Sequence, residues 1–151
     1  RVLEAEVCAV TSQDESTLPT GVRKITLDEA FATSRIVSLH CPLTEQNRAF
    51  VNASLLERVA PGLILVNTAR GALIDDIAVA EALQSGRLGA YACDVLSTEP
   101  PAADHPILSA PNTFVTPHIA WATAAARGRI VRIMADNLKA FLAGAPQNVV
   151  S

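Results

Sequence analysis

Leu63-Ile64-Leu65-Val66-Asn67 runs into Thr68-Ala69-Arg70-Gly71, and a helical pattern then opens at Asp75 or Asp76 and closes at Gly86. The first five residues are almost wholly apolar, without the alternation of a strand that has one wet face. Such a run reads as a strand covered on both sides, the usual condition of a parallel sheet. In the helical stretch, Ile77, Val79, Ala80, Ala82 and Leu83 supply the apolar positions and Gly86 the stop. A short buried strand, a turn and a helix together make the repeating half of a βαβ crossover.

The same alternation extends in both directions. Further strand runs are Glu6 to Val10, Ile36 to Leu39, Ala90 to Val95 and Thr113 to Thr116. Thr26-Leu27-Asp28-Glu29 has capping-box spacing and opens a helix to about Ala32. Asn52-Ala53-Ser54-Leu55-Leu56 begins a short helix stopped by Pro61-Gly62, and the longest helix runs from about Ala122 to Ala143, closed by Gly144 and Pro146. Its apolar Ile130, Met134, Leu138, Phe141 and Leu142 alternate with Arg127, Arg129, Arg132 and Lys139. Pro100, Pro101, Pro106, Pro111 and Pro117 mark loops around the last strand. The expected fold is α/β, an open, doubly wound parallel sheet.

Composition sets the outer limits. The 151 residues fit one domain, half hydrophobic, 18% charged and only 4% aromatic, with 26 alanines favouring packed helices. A net charge of −3 makes no case for nucleic acid or an anionic membrane as partner. No apolar run reaches the length of a membrane helix and no signal peptide opens the chain, so a cytoplasmic protein is expected. Three scattered cysteines point to a reducing compartment rather than a disulfide framework.

In open parallel sheets, ligands bind beyond the carboxyl ends of the strands. His40-Cys41-Pro42-Leu43-Thr44 follows one strand, Thr68-Ala69-Arg70-Gly71 the next, Asp94 and then Ser97-Thr98-Glu99 a third, and Pro117-His118-Ile119-Ala120-Trp121 the last. An arginine can hold a carboxylate in bidentate fashion and polarise a neighbouring carbonyl. A histidine passes protons near neutral pH, and a carboxylate beside it orients it and favours its protonated form. Each has an ordinary alternative: Arg70 as a turn residue, Glu99 as a solvated loop charge, His118 as a cap on the final helix. As a set on consecutive strand ends, Arg70, Glu99 and His118 favour chemistry. Cys8, His40, Cys41, Cys93, His105 and His118 show no paired metal-ligand spacing, so no metal site is expected. Cys8 and Cys93 sit inside strand runs, where a buried, inert thiol is expected. A Gly-x-Ser-x-Gly elbow and a phosphate loop are both lacking.

The segments Leu39 to Thr44, Val66 to Gly71, Ala92 to Val95 with Glu99-Pro100, and Thr116 to Trp121 resemble the D-isomer-specific 2-hydroxyacid dehydrogenases, in the family's order and over nearly the whole chain. His118-Ile119-Ala120-Trp121 is most similar to the branch of glycerate dehydrogenases and hydroxypyruvate or glyoxylate reductases. The resemblance implies a Rossmann-like domain that binds NAD or NADP. It implies that Arg70 binds the 2-oxo acid, His118 is the acid/base, and Glu99 pairs with His118. Asp94 would meet the nicotinamide carboxamide. Thr11, Ser12, His40, Cys41, Pro42, Thr44, Thr68, Ala69, Arg70, His118 and Ala120 would line the cofactor site, while Arg70, His118 and Trp121 would border the substrate.

The departures from the family pattern are equally specific. None of the seven glycines makes Gly-x-Gly-x-x-Gly, so the fold is expected to be incomplete, lacking the first βαβ phosphate-binding unit. The chain would open at the end of the helix after that loop, making Val7-Cys8-Ala9-Val10 the family's second strand. An acid usually ends that strand and binds the adenosine ribose. Thr11-Ser12-Gln13 stands there instead, with Asp14 just beyond and no adjacent arginine, leaving NAD and NADP both open. Residues 1–121 are expected to be the C-terminal part of a dinucleotide-binding domain, 122–144 a long interdomain-type helix and 145–151 a tail. The partners implied are a small 2-hydroxy or 2-oxo acid, a missing N-terminal substrate domain and a second copy in a homodimer. This piece alone is expected to be inactive. A rival expectation is a nucleotide-sensing, non-catalytic protein like the corepressors built on the same fold.

Overall fold

The computed structural model describes residues 5–150. They form six strands and five α-helices in two compact units, one ending at Pro117 and one beginning at His118. The helix end expected at Arg1 lies outside the described residues.

In the first unit, β1 (Val7–Ala9) pairs in parallel with β2 (Val22–Lys24), with Val7 opposite Val22 and Ala9 opposite Lys24. The connection, residues 10–21, holds one turn of 3₁₀ helix, Glu15–Thr17, in place of a crossover α-helix. The sequence reading missed β2 because Val22-Arg23-Lys24 has one apolar residue in three, as short edge strands commonly do. A separate sheet holds β3 (Ile36–Leu39), β4 (Ile64–Asn67), β5 (Ala90–Cys93) and β6 (Thr113–Val115), all parallel and in chain order. The expected runs are thus present, trimmed by a residue or two at their ends. Among the described residues no strand joins the two sheets.

One face of the four-stranded sheet carries α1 (Leu27–Thr33), α2 (Ala53–Leu56), α3 (Asp76–Gln84) and α4 (Pro106–Ser109). Phe31, Leu55, Leu56, Val79, Leu83 and Ile107 pack there against Leu39, Leu65, Tyr91 and Cys93. Along the strands burial alternates: Leu65 is buried and Ile64 exposed, Tyr91 is buried and Ala92 half-buried. The expectation of two covered faces therefore fails in this chain, where Ile36 is 61% and Phe114 69% exposed. Within the first unit, the helices cover only one face of this sheet.

Local sequence sets the helix ends. Thr26, Asn52 and Asp75 each accept a hydrogen bond from the backbone three residues on, at 3.1 Å. The expected capping box at α1 is only half formed, because the Glu29 carboxylate is drawn 2.8 Å from Arg23 on the neighbouring strand. Gly86 follows the Ser85 cap of α3 in the left-handed region, at φ 72°. α2 ends at Leu56 with Glu57 as its cap, ahead of the expected Pro61-Gly62 stop; Gly62, at φ 79°, instead makes the turn into β4. Pro106, expected in a loop, instead takes the first position of α4, where a missing N–H costs nothing.

The second unit contains α5 (Ala124–Leu142), capped by Thr123, which accepts from Ala126 N at 3.2 Å. Gly144 N bonds Phe141 O and Ala145 N bonds Ala140 O, a Schellman ending with Gly144 at φ 72°. None of the described helices is long and apolar enough to cross a membrane.

Candidate functional site

The loops beyond β3, β4 and β5 lie on the same carboxyl edge, because their strands are parallel neighbours. Asn67, the last residue of β4, is fully buried and organises the central loop. Its Oδ1 accepts from Ala69 N at 3.0 Å and its Nδ2 donates to Arg70 O at 3.0 Å, so one side chain shapes the Thr68-Ala69-Arg70 turn. Arg70 is exposed beyond that turn, its Nη1 donating to Ala69 O at 2.7 Å. Gly71 follows against the neighbouring loop, where a Cβ would collide with the backbone of Leu96 and Ser97. Only glycine permits that approach, and it brings the arginine turn against the loop that leaves β5.

That loop opens with Asp94, 5% exposed, whose backbone N–H donates to Asn67 O at 3.0 Å. Thr116 Oγ1 donates to the Asp94 carboxylate. Glu99 is exposed, and its Oε1 accepts from Leu96 N at 2.9 Å, the same segment that rests on Gly71. Arg70, Asp94 and Glu99 are therefore gathered on one edge by short backbone-level links.

Beyond β3, Ser38 Oγ and His40 Nε2 lie 2.9 Å apart. Asn47 ties the following loop, donating to Pro42 O at 2.8 Å and accepting from Thr44 N at 2.7 Å. Cys41 is half-buried beneath it. Thr11 and Ser12 sit beyond β1, with Thr11 Oγ1 accepting from Gln13 N at 3.1 Å. Asp14 is occupied within its own turn, where hydrogen bonds from the Ser16 hydroxyl and N–H hold its carboxyl below the usual range.

In the second unit His118 has φ 54°, a left-handed conformation that histidine adopts more readily than most residues. Trp121 Nε1 donates to His118 O at 2.8 Å and Ala122 N to Ile119 O, closing the His118-Ile119-Ala120-Trp121 turn. Trp121 is exposed rather than packed into a core. Capping α5 falls to Thr123, which removes that ordinary explanation of His118.

Asn67 and Thr116 were missed as supporting residues. The one available signal was a polar residue closing an otherwise apolar strand, at Asn67. The cysteines divide differently from the sequence reading. Burial pushes the Cys93 thiol up to about 11, as an inert core thiol requires, whereas Cys8 is only half-buried. Among the described residues no group of three or more His, Cys, Asp or Glu could hold a metal.

A parallel sheet whose carboxyl edge gathers a guanidinium and a fixed, buried carboxylate defines the class: a nucleotide-binding α/β domain. Residues 1–120 match the family described as D-isomer specific 2-hydroxyacid dehydrogenase, NAD binding domain. The chain belongs to that family. It is 41% identical over 129 residues to the hydroxypyruvate reductase of Blautia hydrogenotrophica, covering 85% of this chain and 40% of that one. The D-lactate dehydrogenase of Lactobacillus jensenii, solved with NAD+, superposes with a TM-score of 0.89 at 25% identity, over 99% of this chain and 49% of the other. An acyclic imino acid reductase in complex with NADPH and D-Arg gives 0.84 at 28% identity, over 97% and 46%. The chain thus spans less than half the length of these relatives.

Proposed function

We propose that this chain is the larger part of the cofactor domain of a dehydrogenase that interconverts a small D-2-hydroxy acid and its 2-oxo acid, glycerate and hydroxypyruvate or glycolate and glyoxylate. Family membership and the 41% identity to a hydroxypyruvate reductase support the reaction class. The single observation carrying the reading is the packing of Gly71 on Leu96 and Ser97, which gathers Arg70 and Glu99 on one edge.

The residues fit NAD or NADP. Asp94 is buried, held by Thr116, and as a carboxylate can only accept, the complement of an amide NH₂ such as the nicotinamide carboxamide. The backbones of His40, Cys41, Pro42, Thr44, Thr68 and Ala69 border the same edge. When bound, the nicotinamide supplies or receives the hydride.

The rest of the work belongs to side chains. Arg70, exposed on a turn fixed by Asn67, binds the substrate carboxylate and polarises the adjacent C2 oxygen. His118 delivers a proton to that oxygen during reduction and removes it during oxidation. Glu99 is the carboxylate partner that favours the protonated imidazole. Trp121 borders the acid's side chain. The substrate domain comes from a longer polypeptide, so the 151-residue chain by itself turns over neither glyoxylate nor hydroxypyruvate.

The test is His118→Ala in the full-length protein, assayed on both acids with NADH and NADPH. Reduction should fall by about a thousandfold, while fluorescence titration shows cofactor binding retained. Unchanged turnover would remove His118 from the reaction, and a cofactor-binding protein with no turnover on any 2-oxo acid would favour a nucleotide-sensing role.

A further inference from the structure

Asp76 stands at the first position of α3, yet the helix is capped by Asp75, whose carboxylate accepts from Ala78 N. The Asp76 side chain turns the other way and is only 12% exposed. Its Oδ2 accepts from Ser97 Oγ and lies 3.3 Å from His105 Nε2, in a side chain itself 8% exposed. A carboxylate oxygen has two lone pairs and can hold both donors at once. His105 Nδ1 is buried without a partner, so the Nε2–H tautomer leaves an acceptor there rather than a stranded donor.

Ser97 and His105 are the two ends of the segment that carries Glu99. A charge near a helix N-terminus is favourable from the surface alone. Burying it costs desolvation that only specific partners offset. Here the partners are both ends of one loop. Inside it, His105 N donates to Ala102 O at 3.0 Å and Glu99 Oε1 accepts from Leu96 N at 2.9 Å. At its root, Leu96 and Ser97 rest on Gly71, next to Arg70.

We propose that Asp76 is a positioning residue for the reaction: by holding Ser97 and His105 on one carboxylate oxygen it closes the 97–105 loop and sets Glu99 beside the Arg70 turn. This rests on the role given to Glu99 above. Asp76 touches neither substrate nor cofactor and acts only through that loop.

The experiment is a double-mutant cycle in the full-length protein, with Asp76→Ala and Ser97→Ala each made alone and with Glu99→Gln. Asp76→Ala should lower kcat at least about tenfold, at a temperature well below its melting point, with KM for the 2-oxo acid and the cofactor dissociation constant within about twofold of wild type. Added to Glu99→Gln it should cost little more, since the group it positions is already lost. Ser97→Ala removes one tie without stranding a charge and should show the same pattern more weakly, which keeps the cycle open should Asp76→Ala fail to fold. Wild-type kcat in both single variants, or losses that multiply fully with Glu99→Gln, would overturn the proposal. Wild-type kcat in Glu99→Gln alone would overturn the role of Glu99, and the positioning with it.

Discussion

Replacing Gly71 by alanine adds one methyl group where it would collide with the Leu96 backbone. Gly71 is buried and not in the left-handed region, so its own backbone accepts alanine without strain. The whole cost is steric. The new Cβ would meet the carbonyl of Leu96 and the N–H of Ser97, which are backbone atoms and cannot rotate away as a side chain would. Relief requires the two loops to separate by about an ångström, and overpacking of this kind costs about 1–3 kcal/mol. The upper end applies, because the adjoining Asp94 N–H is tied to Asn67 O and the Leu96 N–H to Glu99. At roughly 2–4 °C per kcal/mol, the melting temperature should fall by about 6–12 °C. Displacing Glu99 from the Arg70 turn by about an ångström should cost on the order of a hundredfold in kcat/KM. Gly86→Ala is the matched control: φ is 72° with nothing within 4 Å of a Cβ, so it carries backbone strain of about 1 kcal/mol and no change in turnover. The assays are thermal unfolding and steady-state reduction of hydroxypyruvate by the full-length protein. A Gly71→Ala variant that melts with wild type and keeps kcat/KM within about threefold would refute the close packing and the site geometry built on it.

Asn67→Ala removes both hydrogen bonds that shape the arginine turn, stranding Ala69 N–H and Arg70 C=O; a loss of about 2–3 kcal/mol in denaturant unfolding and a raised KM for the 2-oxo acid are expected, and an unchanged KM would separate the turn from substrate binding. Cys93 should resist alkylation at pH 8 while the half-buried Cys8 and Cys41 react, as peptide mapping would show. The same shift gives stability a sign. The unfolded thiol ionises near 9.0 and the folded one at about 11, so the unfolded state binds fewer protons between them and stability falls as pH rises through that window. Cys93→Ala should flatten the early part of that fall, leaving the contribution of the buried Tyr91 phenol, whose ionisation burial also pushes up; an equally steep fall in the variant would locate the effect elsewhere.

Legibility in the sequence followed the range of the interactions. Caps at Thr26, Asn52 and Asp75 act over three residues; the first two helices open where the pattern put them, and the structure chooses Asp75 over Asp76 for the third. β2 escaped because a three-residue edge strand needs little apolar content and takes its pairing from β1, twelve or more residues away in the chain. α4 escaped because a proline that breaks a helix interior is also an ordinary first helical residue, and only burial of Ile107 distinguishes the two. Arg70, Asp94 and Glu99 were recognisable as residue types at strand ends, since parallel strands bring their carboxyl ends to one edge whatever the details.

The sequence by itself determined a parallel α/β domain, the family to which it belongs, and the groups available for chemistry, because apolar period, caps and strand-end motifs are local properties. Tertiary structure decided how those groups are held. Ser97 meets Asp76 across 21 residues and Thr116 meets Asp94 across 22. Gly71 touches Leu96 only because β4 and β5 are neighbours in the sheet. Such contacts depend on strand order and register, and a carboxylate at position 76 looks the same in the chain whether it faces water or staples a loop.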